Sequence, residues 1–148
     1  MIAFIKELPT NKKIASVHCI PITENGMIMM AWDEDEQLLT TIGGRIEGEE
    51  KINTALDREV MEEAGITLQD EKIPFASWYW ESTNTYTIWF LAKVDEFVST
   101  AFNHEKTGYV IFNFETAKQM ISKIEQKSEI RIQILEKAEK IAEDLEWI

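Results

Sequence analysis

The segment from Tyr86 to Val94 constrains the fold more than any other part of the chain. It predicts a strand with apolar side chains on both faces, with Ile88 on one face and Trp89 and Leu91 on the other. Such a strand is typical of the centre of a sheet that is covered on both sides. Strand and helix patterns also interleave along the chain, so we predict an α/β fold with three layers, α/β/α.

The other predicted elements lie on both sides of this strand in the sequence. Runs of β-branched and apolar residues predict strands at Ile14–Ile22, Met27–Trp32, Leu38–Ile42, Ile73–Trp80 and Tyr109–Phe114. Helical periodicity predicts helices at Glu49–Ala64 and Glu115–Gln126, and a last one carrying Ile130, Ile134, Ala138, Ile141 and Leu145. No repeat, low-complexity tract or linker interrupts them, so we predict a single domain over residues 1–148.

The net charge of −12 at pH 7 limits what the protein can bind. A surface this acidic repels polyphosphate backbones, so we do not expect sequence-independent binding of DNA or RNA. If the substrate is itself a phosphate ester, a cation must stand between it and the protein. A bound divalent metal ion would meet that need.

Membrane and secretory signals are not evident in the sequence. No apolar run approaches the roughly 20 residues that span a bilayer, and the N-terminal residues do not resemble a secretory signal. Cys19 is the single cysteine, and its apolar neighbours indicate a small core residue rather than a reactive thiol. We therefore expect a cytoplasmic protein without an internal disulfide.

The predicted helix Glu49–Ala64 carries acids where apolar residues belong. At 100° per residue, Glu59, Glu62 and Glu63 fall inside or beside the arc that Leu56 and Val60 direct toward the core. These carboxylates repel one another, and they lie in the last turns, where the helix dipole disfavours negative charge. A solvated acidic face explains this poorly. A site for a hard cation, Mg²⁺ or Mn²⁺, explains it better.

Two further features adjoin these acids. Arg58 lies on the flank of the helix and could pair with Glu50, with Glu62 or with a substrate phosphate. We favour a structural pair with Glu50 that holds the helix to the loop before it. Gly43 and Gly44 precede the helix, where they are expected to break a strand, to allow positive φ and close approach, and to offer carbonyls to a metal.

Together these residues resemble the Nudix box. The match runs from residue 44 to residue 66 and comprises Gly44, Glu50, Arg58, Glu59, Val60, Glu62, Glu63, Gly65 and Ile66. The resemblance implies a mixed-sheet α/β/α sandwich that hydrolyses nucleoside diphosphates linked to another group. It also implies that Mg²⁺, with Mn²⁺ as a substitute, is held by Glu59, Glu62 and Glu63. The Gly43 carbonyl is a further candidate ligand.

The resemblance leaves two positions open for the general base. In such enzymes the base lies on the box helix, here Glu59, or in a later loop. Glu105 resembles the later position in the branch that cleaves 8-oxo-dGTP, and its alternative is an exposed loop acid. That branch often has proline before the Gly-Gly pair, where this chain has Ile42. The departure weakens assignment to that branch.

The substrate and the rival functions rest on weaker signals. A nucleotide base could stack on one of the aromatic residues of two strands, although core packing is the commoner use of such rings: Trp78, Tyr79, Trp80, Tyr86 and Trp89. One rival is a Nudix-type module that senses a nucleotide or ADP-ribose without cleaving it. Another is an interaction protein that uses the last helix, whose apolar seam could form a homodimer or pack on the sheet.

Overall fold

The computed structural model describes residues 1–98 and 106–148. Within that part, one sheet contains the strands β1 (Ile2–Phe4), β2 (Lys13–Ile22), β3 (Ile28–Asp33), β4 (Leu38–Thr40), β5 (Ile42–Arg45), β6 (Ile66–Trp80), β7 (Thr85–Phe97) and β8 (Lys106–Phe112). The helices are α1 (Ile52–Ala64), α2 (Phe114–Ile124) and α3 (Glu129–Asp144). None of these helices has the length and apolar character needed to span a lipid bilayer.

The sheet is mixed, because one of its central pairs is parallel. The strands run in the order β1-β6-β7-β2-β3-β4, with β5 also paired to β2 and β8 to β3. Strands β2 and β7 are parallel from the pair Lys13 and Thr85 to the pair Ile22 and Lys93, whereas the other pairs are antiparallel. β7 therefore lies between β6 and β2, which confirms the central position predicted for Tyr86–Val94.

The two faces of β7 belong to two separate apolar clusters. Ile88 and Phe90 pack in the cluster that contains Ala55, Leu56 and Val60 of α1. Leu91 and Trp89 pack on the other face, in a cluster with residues of α2 and α3. Burying one such aliphatic side chain contributes roughly 1.5–3 kcal/mol. Helices thus cover both faces, and the predicted α/β/α layers are confirmed.

The last helix uses its apolar seam within the chain. Ile134 and Ala138 are buried in the second cluster and Ile141 packs against it, while Leu145 is exposed. Most of this apolar seam therefore packs within the chain, against the cluster on that face of the sheet. Cys19 is fully buried in the first cluster, and burial raises the pKa of its thiol. The prediction of a small core residue is confirmed.

Several predicted boundaries were wrong, each for a local reason. Leu38–Ile42 is two strands, because β4 pairs with β3 while β5 pairs with β2. β6 begins at Ile66 instead of Ile73. Its pairing with β7 is irregular between Leu68 and Lys72, and the exposed polar residues there hide the alternation of apolar and polar residues that marks a strand. The short β1 was missed altogether.

The starts of α1 and α2 also differ from the prediction. α1 begins at Ile52 after the cap residue Lys51, so Glu50 precedes the helix instead of lying in its first turn. Phe114 belongs to α2 and not to the preceding strand, because the side chain of Asn113 accepts a hydrogen bond of 2.7 Å from Thr116 N. The helix end was predicted correctly: Gly65 has φ +61° and donates its N–H to Met61 O.

The cap at Asn113 gives a first prediction. Asn113→Ala removes the acceptor for the Thr116 N–H and should lower the free energy of unfolding by about 1 kcal/mol. Asn113→Asp keeps an acceptor and serves as the matched control, with little expected change. Urea denaturation of both variants measures the difference. Equal losses in the two variants would show that the cap does not stabilise α2.

Candidate active site

Gly43 and Gly44 are strand residues packed tightly against their neighbours. Within the described residues the glycines with positive φ are Gly26, Gly48 and Gly65, so the expectation of positive φ at the Gly-Gly pair was wrong. A Cβ on Gly43 would lie 2.1 Å from Val17 O. A Cβ on Gly44 would lie 2.5 Å from Glu59 Oε1. The pair is therefore needed for close approach, which lets the α1 carboxylate pack directly on β5.

The two most buried acids of the box lie side by side on this contact. Glu59 is 8% exposed and Glu63 is 5% exposed, as their place on the apolar arc of α1 predicted. Gly43 N donates a hydrogen bond of 3.3 Å to Glu63 Oε1. An extended residue directs its N–H and C=O to the same edge of the strand. The Gly43 carbonyl therefore lies on the same edge of β5 as this N–H.

Arg58 ties α1 to the segment before it. Its guanidinium makes a bidentate pair with Glu50, with Nε to Oε2 at 2.8 Å and Nη2 to Oε1 at 3.0 Å. Nη2 also donates to the carbonyl of Arg45 at 3.0 Å. Two parallel charge-assisted bonds fix position as well as charge. The pair predicted between Arg58 and Glu50 is thus present.

This pairing shifts the pKa of both partners. The pKa of the Glu50 carboxyl falls to about 2, first because Arg58 donates to it and then because Glu47 N does. The pKa of the Arg58 guanidinium is raised, chiefly by its hydrogen bonds to Glu50 and further by Glu59. Both groups therefore stay charged over the whole range in which an enzyme works.

The same guanidinium also reaches the predicted metal ligands. Nη1 of Arg58 donates to Glu59 Oε1 at 2.9 Å and to Glu62 Oε2 at 3.2 Å. Within residues 1–98 and 106–148, no group of three acidic, histidine or cysteine side chains is spaced to hold a metal ion. The donor chemistry nevertheless fits Mg²⁺, because it offers carboxylates and a carbonyl. Arg58 binds Oε1 of Glu59 and Oε2 of Glu62, and each carboxylate has a second oxygen with which it could bind a cation.

The other predicted site residues are distributed differently. Glu105, the candidate base of the later loop, lies outside the described residues. The aromatic group does not share one surface. Tyr86 packs on the α1 side, where its ring lies 5.5 Å from that of Tyr79. Trp89 packs on the opposite side, and Trp80 is 48% exposed.

A supporting residue under Gly43 was missed from the sequence. His18 stacks on Trp89 with ring centroids 5.6 Å apart, and its Nδ1 lies 2.9 Å from Thr41 Oγ1. Thr41 Oγ1 also accepts a hydrogen bond of 3.1 Å from Trp89 Nε1. A Cβ on Gly43 would lie 2.6 Å from His18 Cα. His18 alternates along β2 with Val17 and Cys19, which are buried on the α1 side, so its side chain lies on the opposite face of the sheet. The sequence does not reveal the partners of His18, because they depend on which strands pair.

A family model described as the NUDIX domain matches residues 12–135. The chain is similar to the Bacillus subtilis pyrophosphohydrolase BsRppH, with a TM-score of 0.64 and 18% identity over 75% of this chain and 70% of that one. It is similar to the E. coli ORF135 protein, with a TM-score of 0.58 and 26% identity over 87% of this chain and 91% of that one.

A third similar structure is described for MutT from Aliivibrio salmonicida and Vibrio cholerae. It has a TM-score of 0.58 and 19% identity over 84% of this chain and 97% of that one. A comparison with curated proteins found no match. The similarities below 25% identity establish the fold, and the family model establishes the family.

The Arg58–Glu50 pair predicts a specific dependence of stability on pH. Glu50→Gln should destabilise the fold at pH 7, because the charged acceptor is lost. In the wild type that contribution is lost as pH falls from about 4.5, the ordinary pKa, through the folded value of about 2. The difference in unfolding free energy between wild type and Glu50→Gln should therefore narrow over this range. Urea denaturation at pH 7, 4 and 2.5 measures it.

Glu49→Gln is the matched control for this experiment. Glu49 is the exposed neighbour of Glu50 and makes no salt bridge with a described residue. Its variant should show no comparable narrowing. A wild-type advantage over Glu50→Gln that stayed constant down to pH 2.5 would contradict the role assigned to the pair.

Proposed function

The chain belongs to the Nudix hydrolase family, and on that premise we propose that it is a Mg²⁺-dependent enzyme. It cleaves the diphosphate linkage of a nucleoside diphosphate derivative, of which a nucleoside triphosphate, ordinary or modified, is the first candidate. Mn²⁺ would serve as a substitute. BsRppH is named as a pyrophosphohydrolase, which agrees with this reaction class.

The observation that carries the proposal is the burial of two carboxylates of α1 directly against β5. Glu59 and Glu63 are almost fully buried. The guanidinium of Arg58 donates hydrogen bonds to the carboxylates of Glu50, Glu59 and Glu62. Buried carboxylates are costly unless cations or hydrogen bonds compensate them. Carboxylates beside a backbone strand are the hard oxygen donors that a divalent cation such as Mg²⁺ prefers, and a bound divalent cation would help to compensate their charge.

In the proposed mechanism, Glu59, Glu62 and Glu63 hold the metal together with the Gly43 carbonyl. When bound, Mg²⁺ would neutralise phosphate oxygens and lower the pKa of water. Glu59 is the candidate general base on the helix. A water oxygen bonds to phosphorus, its proton passes to a carboxylate oxygen of Glu59, and the bridging P–O bond breaks with its electron pair on the leaving phosphate. Glu105 remains the alternative base.

Arg58 acts in this mechanism as a positioning residue. Its hydrogen bond to Glu59 and its tether to Glu50 hold the base against Gly44. A contact with a substrate phosphate is the catalytic alternative for the same side chain. The two roles separate in Arg58→Lys, because lysine keeps the charge but cannot make the bidentate pair.

The proposal extends to the setting of the enzyme. We propose one Nudix domain over residues 1–148 and a small nucleotide-like substrate in the cytoplasm. The net charge of −12 argues against sequence-independent nucleic-acid binding. A homodimer stays a possibility for Leu145 and the exposed part of α3. The sensing module is the second candidate function, and the retained acids at positions 59, 62 and 63 argue against it.

The reaction is tested by phosphate release with Mg²⁺, with and without EDTA. Nucleoside triphosphates, sugar nucleotides, dinucleoside polyphosphates and capped RNA form the substrate panel. We expect turnover of at least one class with Mg²⁺ and none with EDTA. Binding of a nucleotide without release of phosphate would instead support the sensing module.

Substitution of Glu59 tests the site itself. Glu59→Gln should lower kcat by about 10²–10⁴-fold if Glu59 is the base. Asp57→Asn is the matched control, since Asp57 is an exposed acid on the same helix, and it should retain activity. Circular dichroism confirms that both variants fold. Wild-type turnover of Glu59→Gln with saturating Mg²⁺ would exclude Glu59, and a comparable loss in Glu105→Gln would then favour Glu105.

A further inference from the structure

Thr41 lies at the point where the chain changes its pairing partner. Thr40, the last residue of β4, pairs with β3, whereas Ile42, the first residue of β5, pairs with β2. Thr41 stands between these two ladders and is 2% exposed. Gly43, which contacts the acids of the candidate site, follows two residues later. The position of Gly43 therefore depends on how Thr41 is held.

The hydroxyl of Thr41 bonds to two other strands. Trp89 Nε1 on β7 donates to Thr41 Oγ1 at 3.1 Å, and His18 Nδ1 on β2 lies 2.9 Å from the same oxygen. Because an indole N–H can only donate, the hydrogen of the hydroxyl is available to the imidazole. His18 Nδ1 also lies 3.3 Å from the Thr41 carbonyl, so the ring bonds to Thr41 in either tautomer. One buried hydroxyl thus joins the start of β5 to β2 and to β7.

The ring of His18 lies under both Thr41 and Gly43. It stacks on Trp89 with ring centroids 5.6 Å apart, which holds the ring in place. Residues two apart on an extended strand face the same side of the sheet, so Gly43 faces His18 as Thr41 does. A Cβ on Gly43 would lie 2.6 Å from His18 Cα, so no side chain separates the two backbones. A displacement of Thr41 relative to His18 therefore moves Gly43 as well.

Gly43 passes this position on to the acids of α1. Its N–H donates a hydrogen bond of 3.3 Å to Oε1 of Glu63, which is 5% exposed. The next residue, Gly44, packs against the carboxylate of Glu59. Both carboxylates thus lie against a strand whose start is held by Thr41, from the face of the sheet opposite to α1.

We propose that Thr41 is a positioning residue for the metal site. Its hydroxyl, held between His18 and Trp89, sets the backbone of Gly43 against Glu63 and so prepares the carboxylates for the cation. Thr41 acts through β5, without contact to metal or substrate. This inference rests on the proposed function and adds to it a residue outside the segment 44–66.

The first test reads the backbone of Gly43 in protein without metal. Selective ¹⁵N labelling of the six glycines allows amide hydrogen exchange to report on the bond from Gly43 to Glu63. Thr41→Val keeps the branched shape and removes the hydroxyl. It should speed exchange at Gly43 by roughly 2- to 12-fold, the range for the loss of one hydrogen bond. Gly26, whose N–H bonds to Thr23 O in the turn after β2, is the internal control and should not change.

The second test measures binding of Mn²⁺ to protein without substrate, by electron paramagnetic resonance of the free ion. Thr41→Val should weaken this binding by about 10-fold, a usual loss when a group behind a metal ligand is removed. Thr41→Ser restores the hydroxyl and should recover most of the affinity. Thr40→Val is the matched control, since Thr40 Oγ1 has no hydrogen-bond partner among the described residues. It should bind Mn²⁺ as the wild type does.

A double variant tests whether Thr41 acts together with His18. His18→Phe keeps a flat ring beside Trp89 and removes Nδ1, so it should also weaken Mn²⁺ binding. The loss in the double variant with Thr41→Val should be smaller than the product of the two single losses, because both changes remove the same contact. Independent losses would contradict the inference. Should Thr41→Val not fold, Trp89→Phe removes the other partner of the hydroxyl and should likewise weaken Mn²⁺ binding.

The outcomes separate this inference from the proposed function. It is overturned if Thr41→Val, shown to fold by circular dichroism, leaves either Gly43 exchange or Mn²⁺ affinity unchanged. It is also overturned if Thr41→Ser or Thr40→Val loses as much affinity as Thr41→Val. Phosphate release by the wild type can still stand in these cases. Mn²⁺ binding that depends on the Thr41 hydroxyl, without phosphate release from any substrate, would support the inference and contradict hydrolysis.

Discussion

The arrangement of the site depends on the hydrogen bonds that the guanidinium of Arg58 makes. The guanidinium joins the loop before α1 through Glu50, the strand β5 through the Arg45 carbonyl, and the helix itself through Glu59. Without it, the carboxylates of α1 would repel one another in the last turns of a helix. The same contacts align β5 with α1, so the acids of α1 lie beside Gly43 and Gly44.

The two glycines of β5 allow close contact of this strand with β2 and with α1. Gly43 lies against Val17 and His18 on β2, and Gly44 lies against the carboxylate of Glu59. A larger side chain at Gly43 would push β5 away from β2, and one at Gly44 would push α1 away from β5. The site therefore has rigid backbone on one side and ionisable side chains on the other. This arrangement places buried acids directly against the backbone of β5.

The features that could be predicted from the sequence are those that local periodicity of apolar residues indicates. The two-faced strand around Ile88, the acids on the apolar face of α1 and the end of α1 at Gly65 were all found, because each leaves a local pattern. The split at Thr41 and the early start of β6 at Ile66 depend on which strands pair, and pairing is a property of the backbone. The contacts of Trp80 on β6 involve Thr87 on β7 and, through it, Ser16 on β2, so no local pattern could have revealed them.

The parallel pairing of β2 with β7 has a consequence for how the protein reaches this state. β2, which carries Val17, can form its parallel pair with β7, which carries Ile88, only when these distant segments meet. β5 and α1 lie between them in the chain. Closing such a long loop costs entropy before its contacts compensate, so topologies of this kind fold slowly. The contacts around Gly44 and Glu59 join β2, β5 and α1, which all precede β7 in the chain. The apolar cluster on which α1 packs is completed only by Ile88 and Phe90 of β7. A chain interrupted before β7 would therefore keep the acids of the site and lose part of the core that holds their helix on the sheet.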